Sequence, residues 1–312
     1  MPTEPNENFI PRKFDNINLK KNLELFSEKI GEAVNFGSHI FYWCLKSVTG
    51  GIEKVPLFMS FRHLFELIDA ISILVKLSCI DPCKILLRAS FESLLTIEYI
   101  FEENTEQRAM DFMFWYKHQE LKIYKRWDPG DHLYIQFREL LKNDKVLCNW
   151  KPPEFPQIKE EMNKREKTLQ RPEFSESRKE YQRLKKQKKG GPNWWFSLHG
   201  GPESIKRLAN QLNRPAQYLM LYRQWSSAIH GTDIIRNKIG VDEFGRTFIS
   251  QIRRPNDSQF VTLLAINFAA TAIRKFVEHF IPHKRDELEK WHKNEIKDFA
   301  MSLGKKDLII VE

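Results

Sequence analysis

The sequence predicts an all-α protein. Apolar residues recur mostly at intervals of three and four, only 13 glycines occur in 312 residues, and strand-like alternation is confined to one short stretch near residues 241–252. A chain of this length can hold one large domain or two smaller ones and bury a substantial core. Its 41% hydrophobic and 29% charged residues are ordinary for a globular chain.

Taken in order, residues 1–16 carry Pro2, Pro5 and Pro11 among polar neighbours and read as a mobile arm. A first helix is expected over residues 18–48, bent at Gly31 or Gly37 and ended by Gly50-Gly51. Pro56 opens a second helix that runs through Cys79. Asp81-Pro82 starts a third, with the acid as N-cap and the proline in the first turn, reaching Glu103. Asn104 or Thr105 caps an aromatic-rich helix that Asp128-Pro129-Gly130 breaks, and a shorter helix follows over 131–146. Residues 151–193, punctuated by Pro152, Pro153, Pro156 and Pro172, have few apolar anchors and read as a basic, partly helical, loosely attached insertion. Trp194-Trp195-Phe196 forms an aromatic plug. A short helix after Gly201-Pro202-Glu203 leads to one opened by Pro215, then to a small hairpin around residues 243–245. A core helix over 258–280 and a polar helix from Lys284 complete the chain. Residues 17–150 and 194–283 are expected to share one helical bundle, with 284–312 as a polar helix and tail.

The net charge of +9 is concentrated, since residues 151–190 hold 13 basic against 7 acidic side chains. That asymmetry favours a polyanionic partner such as RNA, although a solvated basic helix has the same composition. Cys44, Cys79, Cys83 and Cys148 form no CxxC pair, so reduced thiols in a cytoplasmic protein are expected. The acidic, Asn-rich start is unlike a signal peptide. The apolar stretches near 67–80 and 94–101 are interrupted by Asp69, Lys76 and Glu98, short of the roughly 18 uncharged residues of a membrane span. No membrane partner is expected.

The most informative segment is Leu221-Tyr222-Arg223-Gln224-Trp225-Ser226-Ser227-Ala228-Ile229-His230-Gly231. At 3.6 residues per turn, Arg223, Ser227 and His230 fall within about 60° of one another, opposite a packing stripe of Tyr218, Leu221, Trp225, Ala228 and Ile229. A guanidinium beside an imidazole suits phosphodiester cleavage without a metal: one holds a phosphate oxygen as charge develops, the other moves a proton. His230 stands near a helix end, whose dipole favours imidazolium and hence a general acid. The 2′-hydroxyl of RNA would be the nucleophile, giving a 2′,3′-cyclic phosphate and sparing DNA.

Arg223 and His230 are separated by six residues. In this the segment resembles the HEPN superfamily (higher eukaryotes and prokaryotes nucleotide-binding), helical domains whose ribonucleases carry Arg, four to six intervening residues, then His. Many members place Asn, Asp or His directly after the arginine, where this chain has Gln224. A narrower resemblance, to a widespread bacterial family of uncharacterised helical proteins that looks like a divergent HEPN branch, rests on several pieces. They are Leu87-Arg88-Ala89-Ser90-Phe91-Glu92, Tyr99-Ile100, Trp195, Ser204-Ile205-Lys206-Arg207-Leu208-Ala209, and Tyr222 through Gly231, spread over residues 58–281. The resemblance implies an HEPN-like helical bundle, a homodimer with a composite site, a toxin or phage-defence role, and an antitoxin or sensor partner.

Other constellations are weaker. Arg88, Glu92 and Thr96 form a polar column on an apolar helix, either a structural ion pair or a support in which Glu92 orients His230 or Arg223. Arg183, Lys185, Lys186, Lys188 and Lys189, close before Trp194, suit RNA phosphates and unpaired bases, or a solvated helix end beside core tryptophans. His279 and His283 lie four apart, but Pro282 disrupts them as metal ligands, so neither metal nor cofactor is expected. The sequence thus points to a metal-independent endoribonuclease with Arg223 and His230 catalytic and Gln224 and Ser227 orienting the substrate. The competing expectation is a non-catalytic helical scaffold that binds RNA or a partner protein.

Overall fold

The computed structural model describes residues 4–12, 16–48, 50–151, 153, 155–187, 191–223, 235 and 238–303. Regular structure among them is helical apart from one two-stranded hairpin, so the fold is all-α. The helices pack as two units. Residues 1–50, 57–102 and 208–312 form the first, and 51–56 with 103–207 the second.

In the first unit, α1 (Ile17–Ser47) starts at Asn16, whose side-chain oxygen accepts from the Leu19 N–H at 2.9 Å. Its buried residues Leu23, Phe26, Ile30, Ala33, Gly37, Ile40 and Cys44 alternate steps of three and four, which keeps one seam against its neighbours. The helix continues through Gly31 and Gly37, both expected to bend it. Gly37 is there for packing, since a Cβ would stand 2.0 Å from the Phe65 ring.

Helices α2 (Val55–Lys76) and α3 (Ile80–Glu102) follow. Because α3 starts at Ile80, Asp81 lies in its first turn and is not the expected cap. Its carboxylate instead meets Lys84 and Arg254, each at 3.1 Å. Phe58 and Phe61 of α2, Phe101 of α3, and Phe276 and Phe280 further along the chain form a ring cluster with centroids 4.2–5.8 Å apart. Burial pushes the Cys44 and Cys83 thiols up to about 12, so both stay protonated and unreactive.

Downstream in this unit, α8 (Ile205–Gln211) and the short α9 (Pro215–Gln217) lead directly into a π-helical stretch, Tyr218–Arg223. The expected hairpin is present as β1 (Ile239–Val241) and β2 (Thr247–Ile249), antiparallel with Ile239 opposite Ile249. Its turn is held by Asp242, which accepts from the Phe244 and Arg246 N–H groups at 3.0 and 2.8 Å. The first residues are not free of the fold, because the Phe9 carbonyl accepts from the Ile252 N–H at 3.1 Å and Pro11 is buried.

The longest apolar stretch lies elsewhere than expected, in α10 (Ser258–Phe280), which is long and apolar enough by composition to cross a membrane. Here it is the central helix of the first unit, packed along α1 and α3 and buried at twelve positions from Ser258 to Val277. After Pro282–Lys284, α11 (Arg285–Trp291), a π-helical stretch (His292–Lys297) and α12 (Asp298–Leu303) follow. These elements are less polar than expected, since Leu288, Trp291, Ile296 and Leu303 are buried and Trp291 stacks on Phe36 at 4.4 Å.

The second unit is built on α4 (Thr105–Lys125), with α5 (His132–Lys142), α6 (Ile158–Leu169) and α7 (Ser175–Gln187) packed against it. The loosely attached insertion expected at 151–193 is corrected. Ile158, Met162, Leu169, Phe174 and Tyr181 of this segment are buried with Met110, Phe114 and Leu121 of α4 in one core, and Leu184 packs against it. Sparse anchors suffice because their helical spacing aims them all at α4. Arg165 adds a cross-tie, stacked over Tyr124 at 3.7 Å and donating to its hydroxyl at 2.7 Å.

Candidate functional site

The described part of the motif region sits on α3. Arg88 and Glu92, one turn apart, stand in the middle of a helix whose Leu87, Phe91, Leu94 and Leu95 are fully buried. Arg88 Nε lies 3.6 Å from Glu92 Oε1. The guanidinium stacks over Tyr222, 3.9 Å from the ring centroid. Burial raises the Glu92 pKa above the usual carboxylate range, against the pull of Arg88. The α3 column therefore packs directly on the residue that precedes Arg223.

Two further contacts clamp the start of the motif segment to α3. Arg214 grips Glu98 with two guanidinium nitrogens, Nη2 donating to Oε1 at 2.6 Å, and Nη1 donates to Gln217 at 2.5 Å. Gln211 donates to Glu102 at 2.7 Å. Tyr218 stacks on Tyr222 with centroids 5.2 Å apart, and Leu221 is 1% exposed.

The π-helical turn at Tyr218–Arg223 alters the expected face, because its hydrogen bonds span five residues and not four. Leu221 is buried as expected, but Tyr218 is only half-buried, covered by its partner ring. Arg223 closes this stretch, and its side chain lies outside the described residues, as do Gln224, Ser227 and His230 entirely.

The expected RNA-binding set is divided by the fold. Arg183 is occupied: its Nε and Nη2 donate to the two Glu180 carboxylate oxygens, both at 2.7 Å. Trp194 stacks on Phe196 with the rings 5.5 Å apart and 10° from parallel, so one face is already covered. Lys185 and Lys186 are exposed, and Lys188 and Lys189 lie outside the described residues. His279 packs its ring on Phe101 and Phe280 at 4.6 and 4.7 Å.

Sequence reasoning missed two polar clusters in the second unit. Asp111, 4% exposed, accepts from Ser177 Oγ at 2.6 Å and Gln107 Nε2 at 2.9 Å, with His199 Nε2 at 3.4 Å. Burial raises the Asp111 pKa despite these partners. Ser177 is fully buried and donates to the acid, so its hydroxyl is neither activated by the histidine nor open to a substrate. The trio ties three elements together. The second cluster gathers His118, Lys122 and Lys185 on the facing sides of α4 and α7. Asp111 and His118 gave one signal only, as polar residues interrupting the apolar stripe of an aromatic-rich helix.

Neither a curated protein nor a solved structure matches the chain. Residues 54–246, which include the α3 column, the second unit and the motif segment, match one family along nearly two thirds of the sequence. The chain therefore belongs to the family of unknown function DUF5677.

Proposed function

We propose that the protein is a cytoplasmic, metal-independent endoribonuclease of HEPN type, acting as a homodimer in a toxin or phage-defence role. Arg223 holds the scissile phosphate and His230 transfers protons, with Gln224 and Ser227 orienting the RNA. The 2′-hydroxyl loses its proton to water as it attacks phosphorus, the 5′-oxygen of the next nucleotide leaves with a proton from His230, and a 2′,3′-cyclic phosphate remains.

The observation that carries this reading is the half-buried Arg88–Glu92 pair, whose guanidinium packs on Tyr222, immediately before Arg223. Charge on the packed face of α3 is costly unless it is paired, and Arg88 and Glu92 pair with each other. A guanidinium against the tyrosine ring braces the backbone from which Arg223 projects. Glu92, whose pKa burial raises, is a positioning residue for that braced segment.

The test is cleavage of unmodified RNA in EDTA, with the cyclic phosphate end identified by mass spectrometry. Arg223→Ala and His230→Ala should each reduce cleavage about 100-fold or more and relieve the growth arrest caused by expression. Glu92→Gln should shift the pH profile of cleavage while leaving the fold intact. Variants that cut like the parent would sink the assignment, and RNA that is bound but never cut would favour a scaffold.

A further inference from the structure

The contacts between α4 and α7 climb both helices in step. Asp111 meets Ser177, Phe114 and His118 meet Tyr181 with centroids 5.7 and 4.5 Å apart, and the next turn of each helix carries Lys122 and Lys185. Each lower rung is an acid with donors or a pair of rings. The upper rung is two cations.

Several cations of this unit have acids, Lys117 with Glu120 at 3.0 Å, Lys142 with Glu139 at 2.6 Å, Lys164 with Glu161 at 3.0 Å and Lys179 with Glu176 at 2.8 Å, while others such as Lys159 and Lys167 stand exposed in solvent. Among the described residues no acid pairs with Lys122 or Lys185. Burial, then Lys185 and Arg126, lower the Lys122 pKa. His118, one turn below, is held down to about 4 by burial and then by Lys122, Lys185 and Lys125, so it adds no third charge at neutral pH. Its Nδ1 is buried without a partner. Both lysines stand near helix C-termini, whose dipoles offset part of the repulsion and let the empty cluster persist. The dipoles would be served equally well by lysines on the outer faces, so they do not explain why these two converge.

A second feature lies at the same end of α4, on the side turned away from α7. A cavity of about 500 Å³ is lined by Ile123, Tyr124, Trp127 and Phe155, with Gln157 and Glu161 as polar members. An aromatic cavity and a pair of cations at one helix end suit a strand that passes around that end and offers bases and phosphates together. We propose that the Lys122–Lys185 rung is a phosphate site for single-stranded RNA, with the Trp127–Phe155 cavity receiving a base of the same strand. Arg126 and Lys186, exposed at the ends of α4 and α7, extend the cation row beyond the reach of a single phosphate. The choice of RNA over DNA rests on the ribonuclease reading; the phosphate site does not.

The test uses the full chain and a short fluorescein-labelled 2′-O-methyl oligouridine, which lacks the nucleophile and cannot be cut. Fluorescence anisotropy should show Lys122→Gln with Lys185→Gln weakening binding about tenfold and reducing the salt slope by about 1.4, roughly 0.7 for each single-strand phosphate contact. Lys164→Gln with Lys179→Gln, which removes the same charge from paired lysines, should change affinity less than about twofold. Lys185→Glu supplies the missing acid, so it should abolish binding and raise the melting temperature. Equal losses from the two lysine pairs, or a lowered melting temperature with binding intact in Lys185→Glu, would overturn the site. Tripolyphosphate should compete far more weakly per phosphate than RNA, and equal competition would overturn the RNA assignment. A parent that binds but never cuts unmodified RNA sinks the Arg223–His230 reading and leaves this one. Cleavage that survives with lysine-independent binding does the reverse.

Discussion

The two units differ in the charge that their helix contacts leave unpaired. In the first, each cation brought against α3 meets an acid: Arg88 meets Glu92, and Arg214 grips Glu98 with both side chains at most 15% exposed. In the second, Arg108 and Arg165 also have their glutamates, but α4 and α7 bring Lys122 and Lys185 together with no acid paired to either among the described residues. Two kinds of function follow. A satisfied buried pair fixes the geometry of the segment it holds and offers nothing to a ligand. An unsatisfied cation cluster leaves neutralisation to an anion from outside. Positioning thus belongs to α3, and capture to the ends of α4 and α7.

The sharpest way to break this contrast is to make the first unit resemble the second. Glu98→Ala leaves Arg214 buried beside α3 without its anion and should cost about 3–5 kcal/mol, read as a shift in the urea midpoint. Replacing both partners by methionine should recover most of that loss, because the desolvation of both charges disappears with them. Lys122→Gln, which removes a cation that lacks an acid, should change stability by less than about 0.5 kcal/mol. If Lys122→Gln costs as much as Glu98→Ala, the cluster is part of the scaffold and the contrast fails.

A smaller effect separates the acids of the two units. Glu98 faces a permanent cation, whereas Asp111 is held by the neutral donors Ser177 and Gln107, with His199 alongside. Burial already raises the Asp111 pKa, so an amide is a close substitute. Asp111→Asn should cost about 1 kcal/mol, and Asp111→Ala about 1–3 kcal/mol, since the alanine leaves the donors unmet. The sign with pH follows from the raised value. The stability that the neutral acid contributes is complete below the unfolded pKa and is lost as pH rises through the folded one. The deficit of Asp111→Asn relative to the parent should therefore narrow as pH rises from 3.5 to 6.

The all-α class, the hairpin and the core helix over 258–280 were legible because each follows from periodicity and turn chemistry within about twenty residues. The attachment of residues 158–187 was not. Six apolar side chains in a strongly charged stretch look insufficient until α4 is known to supply the facing half of the core. Arg88 and Glu92 were visible as a pair, but their contact with Tyr222 joins residues more than 120 positions apart. Arg183 looked like a phosphate ligand, and Glu180, three residues earlier, takes it. Lys122 gave no signal because its meaning comes from Lys185 on another helix. Spacing shows which residues share a face, and only packing shows which faces meet.

The smallest effect tests the floor of the cation cluster. Burial, reinforced by Lys122, Lys185 and Lys125, depresses the His118 pKa from 6.5 to about 4. Between those values the unfolded chain binds a proton that the folded chain refuses, so stability rises with pH across the window. The contribution of neutral His118 is complete above about 6.5 and is lost as pH falls through about 4. His118→Phe keeps a ring against Tyr181 and cannot titrate, so the fall in its urea midpoint from pH 7 to pH 4.5 should be shallower than the parent's. Lys185→Glu should have the same flattening effect with His118 intact, because it removes one of the charges that disfavour imidazolium. A parent and both variants with parallel midpoint curves would show that the lysines do not act on this ring, and the upper rung would lose its electrostatic basis.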